Sequence, residues 1–176
     1  KTVNPDADTY PLEADFGSTR QVFHLGAGSV ATPGSVAGIL KLHEDFGRLP
    51  VSECAAHAKD HSRSGLSITS HAATLLDVVR ELYQSSPEAR ALFSTKMPGD
   101  SCLKEGELFH NPDFGDFLDM LISEGSRWFY HGDIARIVSD YCQNHAGHLT
   151  RSDFEDYSVE IREPLQIHRN GATVWL

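Results

Sequence analysis

The chain has 176 residues, 40% of them hydrophobic, with a formal net charge of −10 when histidine is neutral; this length suits one domain of ordinary size, and the apolar fraction permits a core without making it generous. The acidic balance argues against a nucleic-acid partner, which needs a cationic face, and against an anionic membrane surface. No apolar run approaches bilayer length, no signal-peptide core follows Lys1, and three widely spaced cysteines (Cys54, Cys102 and Cys142) form no metal-type pair and read as free, largely buried thiols.

Residues 1–28 show no apolar period. Asn4, Pro5, Asp6, Asp8, Pro11, Gly17, Gly26 and Gly28 punctuate them, which predicts loop with one short strand over 22–25. Residues 27–32 are small and apolar and read as buried extended chain. A helix is predicted over 33–46, with Thr32 as N-cap, Pro33 at the first helical position and Gly47 as the stop. Its apolar residues, Val36, Ile39, Leu40 and Phe46, recur with His43 at helical spacing. A second helix over 52–61 carries Cys54, Ala55 and Ala58 on a narrow face suited to close packing, and residues 62–65 break it. The third is expected to run unbroken over 69–84, with Ala72, Leu75, Leu76, Val79, Leu82 and Tyr83 inward. Ser86, Pro87 and Glu88 cap and start a short fourth helix ending at Phe93.

Residues 94–111 read as loop, with turns over 97–100 and 104–107. Asn111-Pro112-Asp113 then opens a fifth helix whose stripe is Phe114, Phe117, Leu118, Leu121 and Ile122, and Gly125 ends it. After Gly132-Asp133, Ile134, Ile137, Val138 and Tyr141 carry a sixth helix to about His145. Thr150 and Asp153 resemble a capping box, with Asp in place of Glu, opening a one-turn helix over 151–156. In the tail, Val159, Ile161, Leu165 and Ile167 alternate with charged residues, and Asn170-Gly171 is a tight-turn signal before a β-rich run over 172–176. The expected fold class is α+β: mostly helical, closing on a C-terminal β-hairpin. Residues 1–176 read as a single partial domain without repeat or dividing linker. The missing initiator Met and a strand that stops at Leu176 suit a piece of a longer chain.

Candidate sites are few. Ten histidines are many for this length. His57 and His61 share one face of the second helix at a spacing that can chelate a metal, but the intervening Ala58-Lys59-Asp60 lacks the Glu of the metalloprotease pattern and no third ligand is evident. His145 and His148 flank Gly147 in a loop. Solvated surface histidines are the preferred reading of all four. Asp77, Glu81, Asp113, Asp116, Asp119, Glu155 and Asp156 offer carboxylate pairs at helical spacing, nearly all opposite the apolar stripes, where a solvated face is expected. Gly26-Ala27-Gly28 lacks the third glycine and the long preceding strand of a dinucleotide site, and Ser35 is not in a nucleophile elbow. The residues alone assign no catalytic, cofactor-binding or metal site.

Two stretches carry more. The first runs from His24-Leu25-Gly26-Ala27-Gly28-Ser29-Val30 through Thr32-Pro33-Gly34-Ser35-Val36-Ala37-Gly38 to Phe46-Gly47-Arg48-Leu49-Pro50. It resembles the large-subunit segment of gamma-glutamyltranspeptidases, where a Thr-Pro-Gly-x-Val-Ala-Gly turn and helix is followed by Tyr/Phe-Gly-x-Leu-Pro. The second collects Leu103-Lys104-Glu105-Gly106-Glu107, Asn111-Pro112-Asp113, Glu124-Gly125, Phe129-Tyr130-His131-Gly132-Asp133-Ile134-Ala135, Gly147-His148-Leu149-Thr150-Arg151-Ser152-Asp153 with Tyr157, Arg162-Glu163-Pro164-Leu165, and Gly171 to Trp175. These follow the family's order over about residues 24–176. Two departures stand out. Ala146 occupies the place of the first Gly of the family's Gly-Gly pair, and residues 57–68 lack its usual Leu-Ala-x-x-Gly-Phe stretch.

The resemblance implies a four-layer α-β-β-α N-terminal-nucleophile hydrolase, made as a precursor that cuts itself into large and small subunits. The small subunit's new N-terminal Thr would attack a gamma-glutamyl amide and pass the acyl group to water or an amino acid. Its partners would be the rest of the large subunit, the Thr-bearing small subunit and a small-molecule amide, with no cofactor. Thr32, Thr150 and Thr173 match internal structural positions, so none is the nucleophile. Periplasmic or secreted placement follows family habit. Related acyl chemistry (cephalosporin acylase, capsule-polymer transpeptidase, oxamate amidohydrolase) is the near alternative. A non-enzymatic helical binding module that kept the scaffold is the distant one.

Overall fold

The computed structural model describes residues 8–96 and 101–175. Its first element was not foreseen. Strand β1 (Tyr10–Asp15) pairs antiparallel with β2 (Arg20–Leu25), Leu12 opposite Phe23 and Asp15 opposite Arg20. The turn between them is closed by the Asp15 carboxylate, which accepts the Gly17 N–H at 2.8 Å, while Gly17 takes φ +83°. Leu12 and Ala14 point inward and Pro11 outward. Pro11 hides β1 from a propensity reading, yet a two-stranded ladder has free edges where a missing N–H costs little. Residues 27–29 are buried at Ala27 and Gly28, but as one turn of 3-10 helix rather than extended chain.

Helix α1 (Ser35–Phe46) begins two residues later than predicted, and Thr32 does not cap it. The cap comes from elsewhere. The Tyr130 hydroxyl accepts the Ala37 N–H at 3.1 Å and donates to the Pro33 carbonyl at 2.6 Å, which holds the entering turn against the core. Gly47 ends the helix in extended rather than left-handed conformation. Helix α2 (Val51–Ser64) runs three residues past the predicted end and stops at Gly65, φ +92°. Leu66–Ser67 forms β3. Helix α3 (Ser70–Val78) is capped by Thr69, whose hydroxyl accepts the Ala72 N–H. The expected continuous helix then breaks at Val79, φ −109° and ψ 30°, and α4 (Arg80–Tyr83) follows. Two successive β-branched residues, Val78 and Val79, are poor helix formers at that point. Helix α5 (Pro87–Phe93) carries the predicted Ser86 cap.

Beyond α5 the loop reading holds except at β4 (Leu108–Phe109), which pairs with β3. The predicted turn over 97–100 lies outside the described residues. The turn over 104–107 is present: the Glu107 carboxylate accepts the Lys104 N–H at 2.6 Å and the Thr95 hydroxyl at 2.7 Å. Those two bonds hold the Glu107 carboxyl below the usual carboxylate range. Helix α6 (Pro112–His131) starts at the Asn111 cap and kinks at Gly125, φ +70° and ψ −169°, a region open only to glycine. Gly125 therefore ends the first arm as predicted, but a second helical arm follows immediately. Helix α7 (Asp133–Asn144) and α8 (Arg151–Glu155) come next. The Asp153 carboxylate takes the Thr150 N–H at 2.7 Å, as the capping-box reading requires. The tail forms β5 (Gln166–Arg169) and β6 (Ala172–Trp175) around Asn170 and Gly171, φ +51° and +76°. No strand forms at Val159 or Ile161.

The kink in α6 divides the work of its two arms. The first lies along α2, where Gly115 permits close approach; a Cβ there would sit 2.7 Å from Ser62 Oγ. The second delivers Phe129 and Tyr130 into a core with Ala135, Cys142, Leu149 and Phe154. A smaller cluster of Leu76, Cys102 and Leu103 lies under α3, α5 and β4. Cys102 and Cys142 are buried as expected, while Cys54 is exposed; none of the three is joined in a disulfide. Burial pushes the Cys142 thiol up, away from thiolate chemistry.

Candidate functional site

Four of the carboxylates singled out by spacing, Asp77, Asp116, Asp119 and Glu155, pair with cations and not with one another. Asp119 holds Lys59 at 2.7 Å and Arg63 at 2.6 Å, and Asp116 holds Arg63 at 2.7 Å. These bonds draw the Asp119 carboxyl below its ordinary value and raise Arg63. Asp77 pairs with Arg80 and Lys104, and Arg80 as its main partner lowers its carboxyl. Glu155 pairs with Arg151. Glu81, Asp113 and Asp156 are exposed. An acid–base pair needs two coupled carboxyls; these are ion-paired or solvated instead, and Asp116 and Asp119 tie α6 to α2.

The histidines divide. His145 stacks on Tyr141, with ring centroids 4.1 Å apart, and its Nδ1 meets the Tyr141 carbonyl. His57 and His61 share one exposed face of α2 with ring centroids 6.5 Å apart. Among the described residues, no group of three His, Cys, Asp or Glu converges as a metal cage would require. Gly26 and Gly28 serve the backbone: a Cβ on Gly26 would lie 2.4 Å from the Asp8 carbonyl, which accepts the Gly28 N–H at 2.9 Å. Ser35 opens α1. Thr150 is a cap, and the Thr173 hydroxyl meets His168 across the hairpin at 3.0 Å. Of these three, Thr173 alone meets a histidine, and it does so as a cross-strand contact on a hairpin whose residues are all exposed, not in an enclosed site.

Uncovered apolar surface is what the molecule does present. A groove of about 440 Å³ runs between α1, α2 and the first arm of α6. Its walls include Val36, Ile39, Leu40, Ala55, Phe117 and Leu121, with only Ser35 and His43 as polar rim. Of these wall residues Ile39 is 66% exposed, and beyond the groove Phe46 is 76% exposed. The tail is barer still: every residue of β5 and β6 is exposed, and Ile161 and Leu165 stand at 78% and 73%. Contiguous exposure on this scale marks a contact surface. The sequence signal was available in the stripe on α6 and the alternation of the tail, but periodicity names an apolar face without naming what covers it. Tyr130 was missed as the cap of α1; its only sequence trace is the Phe129-Tyr130 doublet.

A family model described as gamma-glutamyltranspeptidase matches residues 4–176. The glutathione hydrolase proenzyme of Pseudomonas aeruginosa is 30% identical over 154 residues, 86% of this chain and 26% of its own length. The acylase ACY 1 proenzyme of Pseudomonas sp. strain V22 is 27% identical over 143 residues, 81% of this chain and 25% of its own. A solved gamma-glutamyltranspeptidase from Pseudomonas nitroreducens, complexed with L-DON, superposes with a TM-score of 0.73 at 26% identity, covering 85% of this chain and 43% of that one. The chain spans about a quarter of the length of the curated relatives it matches.

Proposed function

The chain belongs to the gamma-glutamyltranspeptidase family, and from that premise we propose that it is a large-subunit segment of an amidohydrolase that cleaves gamma-glutamyl or related acyl amides. In this reading the nucleophile is the N-terminal Thr of a small subunit released from the same precursor. Its hydroxyl attacks the amide carbonyl, its own α-amine takes the proton, and backbone N–H groups hold the oxyanion. The acyl group then passes to water or to an amino acid. The present segment contributes helical outer-layer scaffold and an edge of the central sheet in a four-layer α-β-β-α fold, as a single partial domain.

The observation that carries the proposal is the uncovered apolar surface. A groove walled by three helices and an exposed hairpin with Ile167, Val174 and Trp175 outward suit a segment whose remaining partners come from the same precursor. The family match, to relatives named as proenzymes, supports a precursor of that kind. A relative named as an acylase supports the related reading, in which the machinery is shared and the acyl group differs.

The test is the intact mass of the natural gene product, with N-terminal sequencing of every chain that copurifies. A second chain beginning with Thr is the expected result. A single unprocessed chain that still turns over gamma-glutamyl substrate would overturn the processing scheme, and absence of amidase activity from the purified product would overturn the enzyme reading.

A further inference from the structure

The His57–His61 face of α2 is a feature that the enzyme reading does not use. The two residues are one helical turn apart, which places their Cβ atoms about 5–6 Å from each other. Their rings lie 6.5 Å apart, inclined by only 27°. Both side chains are exposed, and among the described residues neither ring holds a hydrogen-bond partner. Small side-chain rotations therefore let one nitrogen of each ring meet a shared cation at about 2.0–2.1 Å.

Charge favours a cation at this place. Lys59 and Arg63, the cations of α2, are drawn to the α6 side by Asp119 and Asp116 at 2.6–2.7 Å. The acids of α2, Glu53 and Asp60, make no ion pair among the described residues, and Glu53 sits one turn before His57 on the same face. His61 lies in the last turn, where the helix dipole is negative. The chain as a whole carries −10.

We propose that α2 carries a two-histidine chelate for a late first-row divalent cation, in the class of Ni²⁺, Cu²⁺ or Zn²⁺, with water completing the coordination. The site is built by one helix and stands independently of the processed-enzyme reading.

The test is calorimetric titration of the full-length protein with Ni²⁺, comparing wild type, His57→Gln, His61→Gln and the double variant. Gln is a good helix former, so fold is kept at these exposed positions. A chelate predicts that each single substitution weakens one binding phase by at least about tenfold and that the double variant weakens it no further. Adding Glu53→His to His61→Gln recreates the one-turn spacing at 53 and 57, and should restore the lost phase. Unchanged binding in the single variants, additive small losses, or no rescue by the rebuilt pair would each overturn the site.

Discussion

Ala146 is the residue where sequence and backbone disagree most sharply. The resemblance places it where the family usually has a glycine, and it adopts φ +54°, a left-handed conformation that costs a residue with a Cβ about 1–2 kcal/mol. Its neighbour Gly147 needs to be glycine for a different reason. Its N–H bonds the Cys142 carbonyl at 2.6 Å, and a Cβ there would lie 2.8 Å from the carbonyls of both Ala27 and Cys142. Restoring the pair should therefore help on one side only. Ala146→Gly is expected to stabilise by about 0.5–1 kcal/mol, the left-handed strain relieved less the entropy that glycine adds to the unfolded chain. Gly147→Ala is expected to destabilise by about 1–3 kcal/mol, because both obstacles are backbone atoms. Denaturant midpoints of the two variants check the pair; a neutral or destabilising Ala146→Gly would mean that the surrounding turn already compensates for the strain.

At the scale of elements, what holds α2 against α6 is part close packing at Gly115 and part the Lys59–Asp119–Arg63–Asp116 network. The Asp119 carboxyl is depressed below its unfolded value, so its contribution is fully present above that unfolded value and is lost as pH falls through the depressed one. Acidification should thus loosen the α2–α6 contact in the acidic range, and Asp119→Asn should remove that part of the pH dependence while lowering stability near neutrality. Hydrogen exchange of the facing amides of α2, followed against pH in both proteins, is the measurement; identical profiles would exclude Asp119 as the source. The same elements show which parts of the fold were legible in sequence. Caps whose partner lies three residues away, at Ser86, Asn111 and Thr150, could be read directly, because side chain and backbone are local partners. The cap of α1 could not, because Tyr130 supplies it across 93 residues of chain. Strand β1 was hidden by Pro11, and the break at Val79 by an apolar period that continues across it. The second arm of α6 was missed because Gly125 reads as a stop, whereas here it redirects a helix. The carboxylates were rightly placed on solvated faces; Arg80 and Arg151 stand within one turn of Asp77 and Glu155, whereas the cations that hold Asp116 and Asp119 lie on α2 and leave no local trace.

At the scale of the whole molecule, the apolar surface is divided between two modest cores and two bare faces. Phe129, Tyr130 and Phe154 anchor one core, and Leu76, Cys102 and Leu103 the other. Meanwhile Ile39, Leu42, Phe46, Ile161, Leu165 and Trp175 each stand at 60% exposure or more. Burying a side chain of this size contributes about 1.5–3 kcal/mol, and a folded domain retains only about 5–15 kcal/mol in all. Leaving six of them in water withholds stabilisation comparable with that whole margin. The segment expressed alone is therefore expected to melt broadly and to bind an apolar fluorescent dye at the groove and hairpin. Co-expression with the remainder of its precursor should suppress dye binding and sharpen the transition. Phe46→Ser and Trp175→Ser should lower dye binding by the isolated segment, since both side chains lie on the exposed faces and neither belongs to a core. A sharp melt without dye binding in the isolated segment would show that these faces need no covering, and would detach this scaffold from the proposed assembly.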